Sequence, residues 1–277
     1  MSNNNYAIIG YPLGYSLSPL MHNHFFKKEG INASYISLTV DSNGLQRLVE
    51  KKQLDGFNVT IPHKEAILSY LTNLTDSAKS IGAVNTVKLM SNGYLGTNTD
   101  AEGFLLMLKK EKNLSLENKN IALFGAGGAA KAIAYAAAIS GAKSLYIYDP
   151  DIKKVESIVN KALKDSRYKI AHKLSRLEKT LVKCDIVINA TPVGMEKTID
   201  QSVLKKSELA LLPSHAYVVD IIYAPLQTTL LKTASELGLE TLNGIGMLGG
   251  QGVIAQKFWF GKSLLYEEAK ETLVNGL

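Results

Sequence analysis

The stretch IALFGAGGAAKAIAYAAAISGAKSLYIYD, residues 121–149, decides the fold of this chain. An apolar strand runs into a glycine turn, a helix of small residues follows, Gly141 ends that helix, and a second apolar strand comes next. A strand, a helix and a further strand in this order are typical of the units from which parallel sheets are built. The stretch therefore predicts an α/β domain.

The glycine turn fits the pattern G-x-G-x-x-[GA] with Gly125, Gly127 and Ala130. Gly125 would allow the tight turn, Gly127 would let the backbone approach a pyrophosphate, and Ala130 would permit close helix–strand packing. A purely structural turn is the plainer interpretation, but the strand before it and the helix N-terminus after it favour a Rossmann-type dinucleotide site. The expected binding residues are Gly125, Ala126, Gly127, Gly128 and Ala129.

The end of the second strand bears on which dinucleotide is bound. About 20 residues after the turn, an acidic residue would hydrogen-bond the ribose hydroxyls of NAD. Asp149 stands there, Asp151 follows, and this segment has no arginine to hold a 2′-phosphate. A carboxylate would repel that phosphate, so we expect NAD. Lys153 and Lys154 lie close in sequence and keep NADP open as the alternative.

Strand-like and helical runs alternate along almost the whole chain, which is typical of α/β proteins. The first hundred residues contain a predicted hairpin at Ser91–Gly93, where Asn-Gly supplies positive φ angles, and a helix that Ser18 would cap. The polar stretch KNLSLENKN, residues 112–120, resembles a linker. We therefore predict two domains, an N-terminal α/β domain with a mostly parallel sheet and a Rossmann-type domain.

Composition excludes several function classes. The formal charge of the 277 residues is +6, but the lysines are scattered and form no basic block, so nucleic-acid binding is not expected. The longest apolar run, residues 132–139, is far shorter than the roughly 20 residues that span a bilayer. The first residues show no signal-peptide pattern, so we expect a cytoplasmic protein, monomeric or homodimeric. The five histidines form no ligand set, so no metal is expected.

Polar residues gather at strand ends and loops of the N-terminal half. The carboxyl ends of strands in an α/β sheet are where ligands bind, so these residues are candidates for a substrate site. Pro62 predicts a helix start that places Lys64 in a first turn, where the helix dipole disfavours its charge. The candidates are Ser16, Ser18, Asn58, Thr60, Lys64, Asn85, Asn98 and Asp100.

Eight motifs follow one another from Ser16 to Gln251: SLSP, NVTIPHK, GAVNT, NTD, GAGGAA, ATPVGM, DIIYAPLQT and GMLGGQ. In this order and spacing they closely resemble the shikimate dehydrogenase family, over almost the entire chain. The resemblance implies reversible NAD(P)-dependent reduction of 3-dehydroshikimate to shikimate in aromatic amino-acid biosynthesis. It also implies a discontinuous substrate domain, residues 1–104 plus 250–277, around a dinucleotide domain of residues 105–249.

The resemblance also implies roles for single residues. Ser16 and Ser18 would hold the substrate carboxylate with help from Tyr223. Lys64 would exchange the proton at the reacting oxygen, with Asp100 as its partner, because the oxygen that hydride transfer leaves charged needs a positioned acid. The ring hydroxyls of the substrate would be hydrogen-bonded by Thr60, Asn85, Asp100 and Gln251, and Asn58 is a further expected substrate-binding residue. The cofactor side would be lined by Asp76, Thr191, Ile221, Gly244 and Met247.

Departures from the family pattern leave rival functions open. Asp149–Pro150–Asp151 replaces an Asn-Arg-Thr-like cluster of NADP-using members, and NAD use also occurs in quinate/shikimate dehydrogenases, so quinate is an alternative substrate. Ser18 favours shikimate over quinate. Gly249 and Gly250 replace bulkier apolar residues and would loosen the approach to Gln251, and Ala101 replaces a glycine. Two further hypotheses are a non-catalytic metabolite sensor and a dehydrogenase of another small hydroxy acid.

Overall fold

The computed structural model describes residues 4–163 and 165–277. The chain divides into two compact units, the first formed by Met1–Phe104 and Leu248–Leu277 and the second by Leu105–Met247. Within the described ranges, no helix combines the length and the apolar character needed to cross a membrane. The same residues contain no group of three or more His, Cys, Asp or Glu side chains that could hold a metal ion.

In the part of the chain that the structure describes, twelve strands form two sheets, one in each unit. The strands of unit 1 are β1 (Asn4–Gly10), β2 (Ala33–Thr39), β3 (Gly56–Val59), β4 (Asn73–Leu74), β5 (Thr86–Met90) and β6 (Gly93–Thr97). The strands of unit 2 are β7 (Asn120–Phe124), β8 (Ser144–Tyr148), β9 (Ala171–Lys173), β10 (Ile186–Asn189), β11 (Tyr217–Asp220) and β12 (Glu240–Leu242).

Helices connect the strands. They are α1 (Ser18–Lys28), α2 (Ser42–Lys51), α3 (His63–Ala66), α4 (Asp76–Ile81), α5 (Asp100–Lys112), α6 (Gly128–Ile139), α7 (Ile152–Val159), α8 (Leu177–Leu181), α9 (Lys206–Leu209), α10 (Thr229–Glu236), α11 (Ile245–Phe260) and α12 (Tyr266–Val274). Short 3-10 helices lie at Ile67–Tyr70, Asn160–Leu163, Ser166–Ile170 and Glu196–Thr198.

The sheet of unit 1 has the order β2-β1-β3-β5-β6-β4. Strand β1 is parallel to β2 and β3, and β4 is parallel to β6, whereas β5 is antiparallel to both of its neighbours. The predicted mostly parallel sheet is confirmed. The hairpin between β5 and β6 is also present, with Ser91 and Asn92 as its turn residues, and the positive φ, +131°, is at Gly93, the first residue of β6. The prediction of a positive φ at Asn92 is therefore wrong, and a Cβ at position 93 would collide with the Thr72 side chain.

The sheet of unit 2 is entirely parallel, with the order β12-β11-β10-β7-β8-β9. This is the strand order of a Rossmann fold, which confirms the domain predicted from residues 121–149. The order reverses between β7 and β10, and open α/β sheets bind ligands at the carboxyl ends of strands at such a switch point. The glycine turn leaves β7 at that end.

An aromatic cluster fills the interior of unit 1 between α1 and α11. Tyr6 lies 5.4 Å from Phe26 and 5.0 Å from Trp259, measured between ring centroids. His22 stacks on Tyr35 at 4.4 Å and lies 5.3 Å from Trp259. Because His22 is fully buried, desolvation lowers its pKa from 6.5 to about 3. The imidazole is therefore neutral in the folded state at pH 7.

This burial predicts a pH dependence of stability. Between about pH 3 and 6.5 the unfolded chain carries one more proton than the folded chain at His22, so stability is lost as pH falls through that range. When the pH is lowered from 7 to 5, we expect the free energy of unfolding of the wild type to fall by about 2 kcal/mol more than that of His22→Gln. Urea unfolding followed by the fluorescence of Trp259, the single tryptophan, measures this difference. His172→Gln, at an exposed site, should keep the wild-type slope, and equal slopes for His22→Gln and wild type would contradict the prediction.

Candidate active site

An ion pair between Lys64 and Asp100 lies at the centre of the polar cluster in unit 1. Lys64 Nζ is 2.5 Å from Asp100 Oδ2, and the two side chains are 15% and 6% exposed. Lys64 follows β3 and lies in α3, whereas Asp100 begins α5. A lysine so far from solvent needs a partner for its charge, so Lys64 is not an ordinary solvated helix residue.

The surroundings of Asp100 fix its carboxylate. Asn85 Nδ2 donates to Asp100 Oδ1 at 2.8 Å, and the Asp100 backbone N–H donates to Asn98 Oδ1 at 3.0 Å. The carboxylate also stands at the N-terminus of the 13-residue α5, where the helix macrodipole stabilises negative charge. Asp100 is thus held in one position and is available to orient the ammonium group of Lys64.

Asn85 connects further groups to the pair. Its Oδ1 accepts from the Thr99 backbone N–H at 2.8 Å and from Thr86 Oγ1 at 3.0 Å. Its Nδ2 lies 3.5 Å from Gln251 Oε1, and Gln251 is only 8% exposed. The structure therefore brings Asn85, Asp100, Lys64 and Gln251 together, although they are far apart in sequence.

The Asn58 amide belongs to the same cluster but is occupied by protein partners. Its Oδ1 accepts from the Tyr35 hydroxyl at 2.6 Å, and its Nδ2 donates to Thr86 Oγ1 at 2.9 Å and to the Asn85 carbonyl at 3.2 Å. Thr60 differs, because its half-buried hydroxyl has no hydrogen-bond partner within residues 4–163 and 165–277. Of the two residues, Thr60 is the one free to meet a ligand.

The two serines of SLSP have different environments. Ser18 is 2% exposed and is the first residue of α1, whose N-cap is Leu17 with no side-chain cap, so the predicted Ser18 cap is wrong. The reason is that the helix begins one residue earlier than predicted: Leu17 is the N-cap and Ser18 is already the first helical residue. Ser16, half-buried, accepts from the Ser18 backbone N–H at 3.3 Å.

Two further expectations about unit 1 need correction. The helix after Pro62 has four residues and continues as a 3-10 turn, so its dipole at Lys64 is much weaker than that of a full helix. The glycines of α11 do not loosen the approach to Gln251. A Cβ at Gly250 would lie 2.6 Å from the Gly103 carbonyl oxygen, and one at Gly103 would collide with the Gln251 backbone N. Gly103 of α5 and Gly250 of α11 instead let the two helices cross closely beside Gln251.

The glycine turn of unit 2 has the geometry that its sequence predicts. Gly125 has φ +109°, and a Cβ there would lie 2.7 Å from the Ala190 carbonyl oxygen. Gly127 is the N-cap of α6, no side chain caps this helix, and nothing lies within 4 Å of a Cβ placed on Gly127. Ala130 is fully buried. The turn thus presents an open, uncapped helix N-terminus, which suits a phosphate group.

Asp149 lies beside the glycine turn at the end of β8. Its Oδ2 accepts from the Ala126 backbone N–H, and its Oδ1 accepts from the Asp151 backbone N–H, each at 2.9 Å. Asp151 caps α7 by accepting from the Lys153 backbone N–H at 3.1 Å. The Lys154 ammonium lies 3.9 Å from Asp151. The carboxylate of Asp149 is therefore fixed next to the dinucleotide turn.

Buried Asp220 holds two loops at the carboxyl end of the unit 2 sheet. It accepts from Thr228 Oγ1 at 2.8 Å, and from Asn189 Nδ2 and the Ile222 backbone N–H at 3.1 Å each. Burial raises the pKa of this carboxyl, and these three hydrogen bonds oppose the rise. Asn189 in turn accepts from Thr191 Oγ1 at 2.7 Å.

The other predicted cofactor residues are placed as follows. Ile221, at the end of β11, is approached so closely by Gly244 that a Cβ at 244 would collide with the Ile221 carbonyl. Met247 is buried, and Tyr223 is half-buried in unit 2, where burial raises its pKa. Asp76, in unit 1, is fully exposed at the start of α4. The binding roles of these residues, and that of Tyr223 toward a substrate carboxylate, stay predictions.

Sequence reasoning missed several supporting residues. Asp220, Thr228 and Asn189 could have been found, because Asp220 and Thr228 begin and end the DIIYAPLQT motif and Asn189 is a polar residue within an apolar run that reads as a buried strand. Thr86 stands within the GAVNT motif. Tyr35 gave no signal, since tyrosine is an ordinary strand residue.

Comparison with known proteins gives a consistent result. Residues 8–87 match the family model described as the shikimate dehydrogenase substrate binding domain, and residues 107–224 match the one described as shikimate / quinate 5-dehydrogenase. A curated relative from Methanocaldococcus jannaschii, named shikimate dehydrogenase (NADP(+)), is 37% identical over 274 residues, which cover 97% of this chain and 95% of the relative.

Two solved structures extend the comparison. Shikimate 5-dehydrogenase from Listeria monocytogenes, in complex with shikimate and NAD, is 33% identical with a TM-score of 0.86, covering 98% of this chain and 96% of the other. The ligand-free 5-ketofructose reductase of a Gluconobacter strain is also 33% identical, with a TM-score of 0.82, covering 100% of this chain and 99% of the other. Similarity at this level therefore extends to more than one substrate.

Proposed function

This chain belongs to the shikimate dehydrogenase family and is an oxidoreductase of that family, and on this premise we propose that it interconverts 3-dehydroshikimate and shikimate with a nicotinamide dinucleotide. We assign the substrate to unit 1 and the dinucleotide to unit 2. The support for unit 1 is the polar cluster around Lys64. The support for unit 2 is the open glycine turn at the sheet's switch point.

The Lys64–Asp100 pair is the observation that carries the proposal. A bound nicotinamide supplies or accepts the hydride, and the protein must then move a proton at the reacting oxygen. Lys64 carries that proton on Nζ, and Asp100, 2.5 Å away, orients the ammonium group. Because both side chains are almost fully shielded from solvent, their interaction with developing charge is stronger than it would be in water.

The remaining polar groups suit a polyhydroxylated ring acid. The hydroxyl of Thr60 and the amides of Asn85 and Gln251 offer donors and acceptors for ring hydroxyls, and these side chains are well shielded from solvent. We propose Ser16 and Ser18 as the hydroxyl donors for the substrate carboxylate. We propose that Asn58 supports the site without contacting the substrate, because its amide is already hydrogen-bonded to protein groups.

For the cofactor we propose NAD in preference to NADP. The fixed carboxylate of Asp149 favours a ribose with free hydroxyls and repels a 2′-phosphate. The Listeria relative was solved with NAD, whereas the curated relative from Methanocaldococcus is named for NADP(+). Because the two relatives point to different cofactors, we base the choice of NAD on this chain's own residues, Asp149–Pro150–Asp151.

Quinate is the second candidate substrate, because the family model that matches residues 107–224 is described as shikimate / quinate 5-dehydrogenase. We rank it below shikimate, since Ser18 is only 2% exposed and its surroundings leave little room for an added substituent. A fructose-type ketone, as in the Gluconobacter reductase, lacks the carboxylate that the two serines would bind.

Steady-state oxidation of shikimate and of quinate, each with NAD and NADP, tests the proposal. We expect kcat/KM to be highest for shikimate with NAD. Reduction of 5-ketofructose is the control for the rival substrate class. Absence of turnover with shikimate under all conditions would refute the proposal, and so would a higher kcat/KM for 5-ketofructose.

A further inference from the structure

Tyr35 lies behind the proposed substrate site and belongs to none of the motifs. It is in β2, is 1% exposed, and its hydroxyl donates to Asn58 Oδ1 at 2.6 Å. Burial raises the pKa of this phenol well above its ordinary value, and the polar Ser18 side chain opposes the rise. At neutral pH the Tyr35 hydroxyl is therefore a proton donor and never a charged acceptor.

The hydrogen bonds continue from Asn58 to the catalytic carboxylate. Asn58 Nδ2 donates to Thr86 Oγ1 at 2.9 Å, and Thr86 Oγ1 donates to Asn85 Oδ1 at 3.0 Å. Asn85 Nδ2 then donates to Asp100 Oδ1 at 2.8 Å. Every bond from Tyr35 onward is donated in the same direction, toward Asp100, and chains of aligned hydrogen bonds polarise one another.

We call the hydrogen-bonded chain Tyr35–Asn58–Thr86–Asn85–Asp100 the relay. Burial makes each bond of the relay depend on the one before it. Thr86 is fully buried, and Asn58, Asn85 and Asp100 are 5%, 2% and 4% exposed. Solvent therefore has little access to replace a missing partner. An amide that loses one of its partners in such a site gains an unsatisfied atom and freedom to rotate, which is costly and disturbs its neighbours.

We propose that Tyr35 is a positioning residue for the reaction: its hydroxyl fixes the Asn58 amide and, through Thr86 and Asn85, holds Asp100 in place against Lys64. This inference rests on the proposed function, because it assigns Tyr35 to the site that would carry out that reaction.

Tyr94 provides a matched control in the same unit. It is also 1% exposed, its hydroxyl donates to the Leu54 carbonyl at 2.7 Å, and burial raises its pKa to about 12. Its ring packs edge-on against Phe57 at 5.3 Å. The hydroxyl of Tyr94 makes no bond to the relay, so its loss has only the structural cost of an unmade buried hydrogen bond.

The test compares Tyr35→Phe with Tyr94→Phe in the full-length chain. We expect both variants to melt at similarly lowered temperatures. Only Tyr35→Phe should lose kcat/KM for shikimate, by on the order of tenfold, because misplacement of a catalytic group by a fraction of an ångström carries a penalty of this size. The KM for the dinucleotide should be unchanged in both, and Tyr94→Phe should stay within about twofold of wild type in kcat/KM.

A second pair keeps the inference testable if Tyr35→Phe does not fold. Thr86→Val breaks the relay at its middle and should lower kcat/KM. Thr86→Ser retains the hydroxyl and should keep most of the wild-type activity. The double variant Tyr35→Phe/Thr86→Val should lose little more than either single variant, because both interrupt the same chain of bonds.

The outcomes separate this inference from the proposed function. If the wild type does not oxidise shikimate, the proposed function fails and this inference falls with it. If the wild type does oxidise shikimate, equal kcat/KM for Tyr35→Phe and Tyr94→Phe would overturn only the role of Tyr35. With Tyr35→Phe unfolded, equal activity of Thr86→Val and Thr86→Ser would overturn it in the same way.

Discussion

Replacing Lys64 by alanine should lower kcat for shikimate oxidation by about a thousandfold while the protein stays folded. The reason is that the variant loses the group that moves the proton at the reacting oxygen, and general acid–base groups contribute roughly 10²–10⁴-fold to rates. Lys64→Arg should recover little of the loss, because a guanidinium group does not release its proton at neutral pH. Steady-state kinetics over a range of pH, together with thermal melting, measures both effects.

Lys28→Ala is the matched control for the loss of an ion pair. Lys28 Nζ is also 2.5 Å from its partner, Glu268 Oε2, but the lysine side chain is 47% exposed and belongs to α1. This variant should keep wild-type kcat, since exposed ion pairs contribute little even to stability. A Lys64→Ala enzyme with more than about a tenth of wild-type kcat would show that another group moves the proton.

Exchanging the residues after β8 should reverse the choice of dinucleotide. We expect the wild type to use NAD with the higher kcat/KM, and the variant D149N/P150R/D151T to shift the NAD-to-NADP ratio toward NADP by on the order of 100-fold. Removing the carboxylate ends its repulsion of the 2′-phosphate, and the new arginine can hold that phosphate with two hydrogen bonds. A 100-fold change in this kcat/KM ratio corresponds to a change of about 2.7 kcal/mol in the free-energy difference between the reactions with the two dinucleotides.

The single variants show which carboxylate decides. Asn at 149 keeps an acceptor oxygen for the Ala126 backbone N–H, so Asp149→Asn removes charge with little loss of structure. Asp151→Asn removes the same charge two residues later, where the side chain caps α7 and points to Lys153 N–H, and it should change the ratio less. Wild-type kcat/KM that is tenfold higher with NADP would refute the role that we give to Asp149.

Local pattern was sufficient for the Rossmann-type unit. In residues 121–149 each element is specified by its own residues: the apolar runs form β7 and β8, Gly125 has the positive φ of the turn, and Gly141, with φ +71°, follows the helix. A parallel strand buried on both faces reads as a continuous apolar run, so this part of the fold is visible in a short window.

Local pattern failed at three places in the first unit and in α11. Ser18 before Pro19 predicts a helix cap, but Leu17 is the N-cap and Ser18 is already the first residue of α1. Asn92 before Gly93 predicts a turn with two positive φ angles, but only Gly93 has one. Gly249 and Gly250 suggest looseness, whereas Gly250 packs directly against Gly103. At Gly250 a tertiary contact with the neighbouring helix overrode the local expectation.

The sequence by itself determined the α/β class, the dinucleotide turn, the family and the identity of Lys64 and Asp100 as the candidate pair, because these follow from short-range patterns and motif order. The tertiary structure decided how the candidate residues connect: Asn58 became a supporting group, Thr60 kept a free hydroxyl, and Tyr35 and Thr86 joined the site. Hydrogen bonds between buried side chains join residues that are far apart in sequence, and a buried polar group takes whichever partner the packed chain brings within reach.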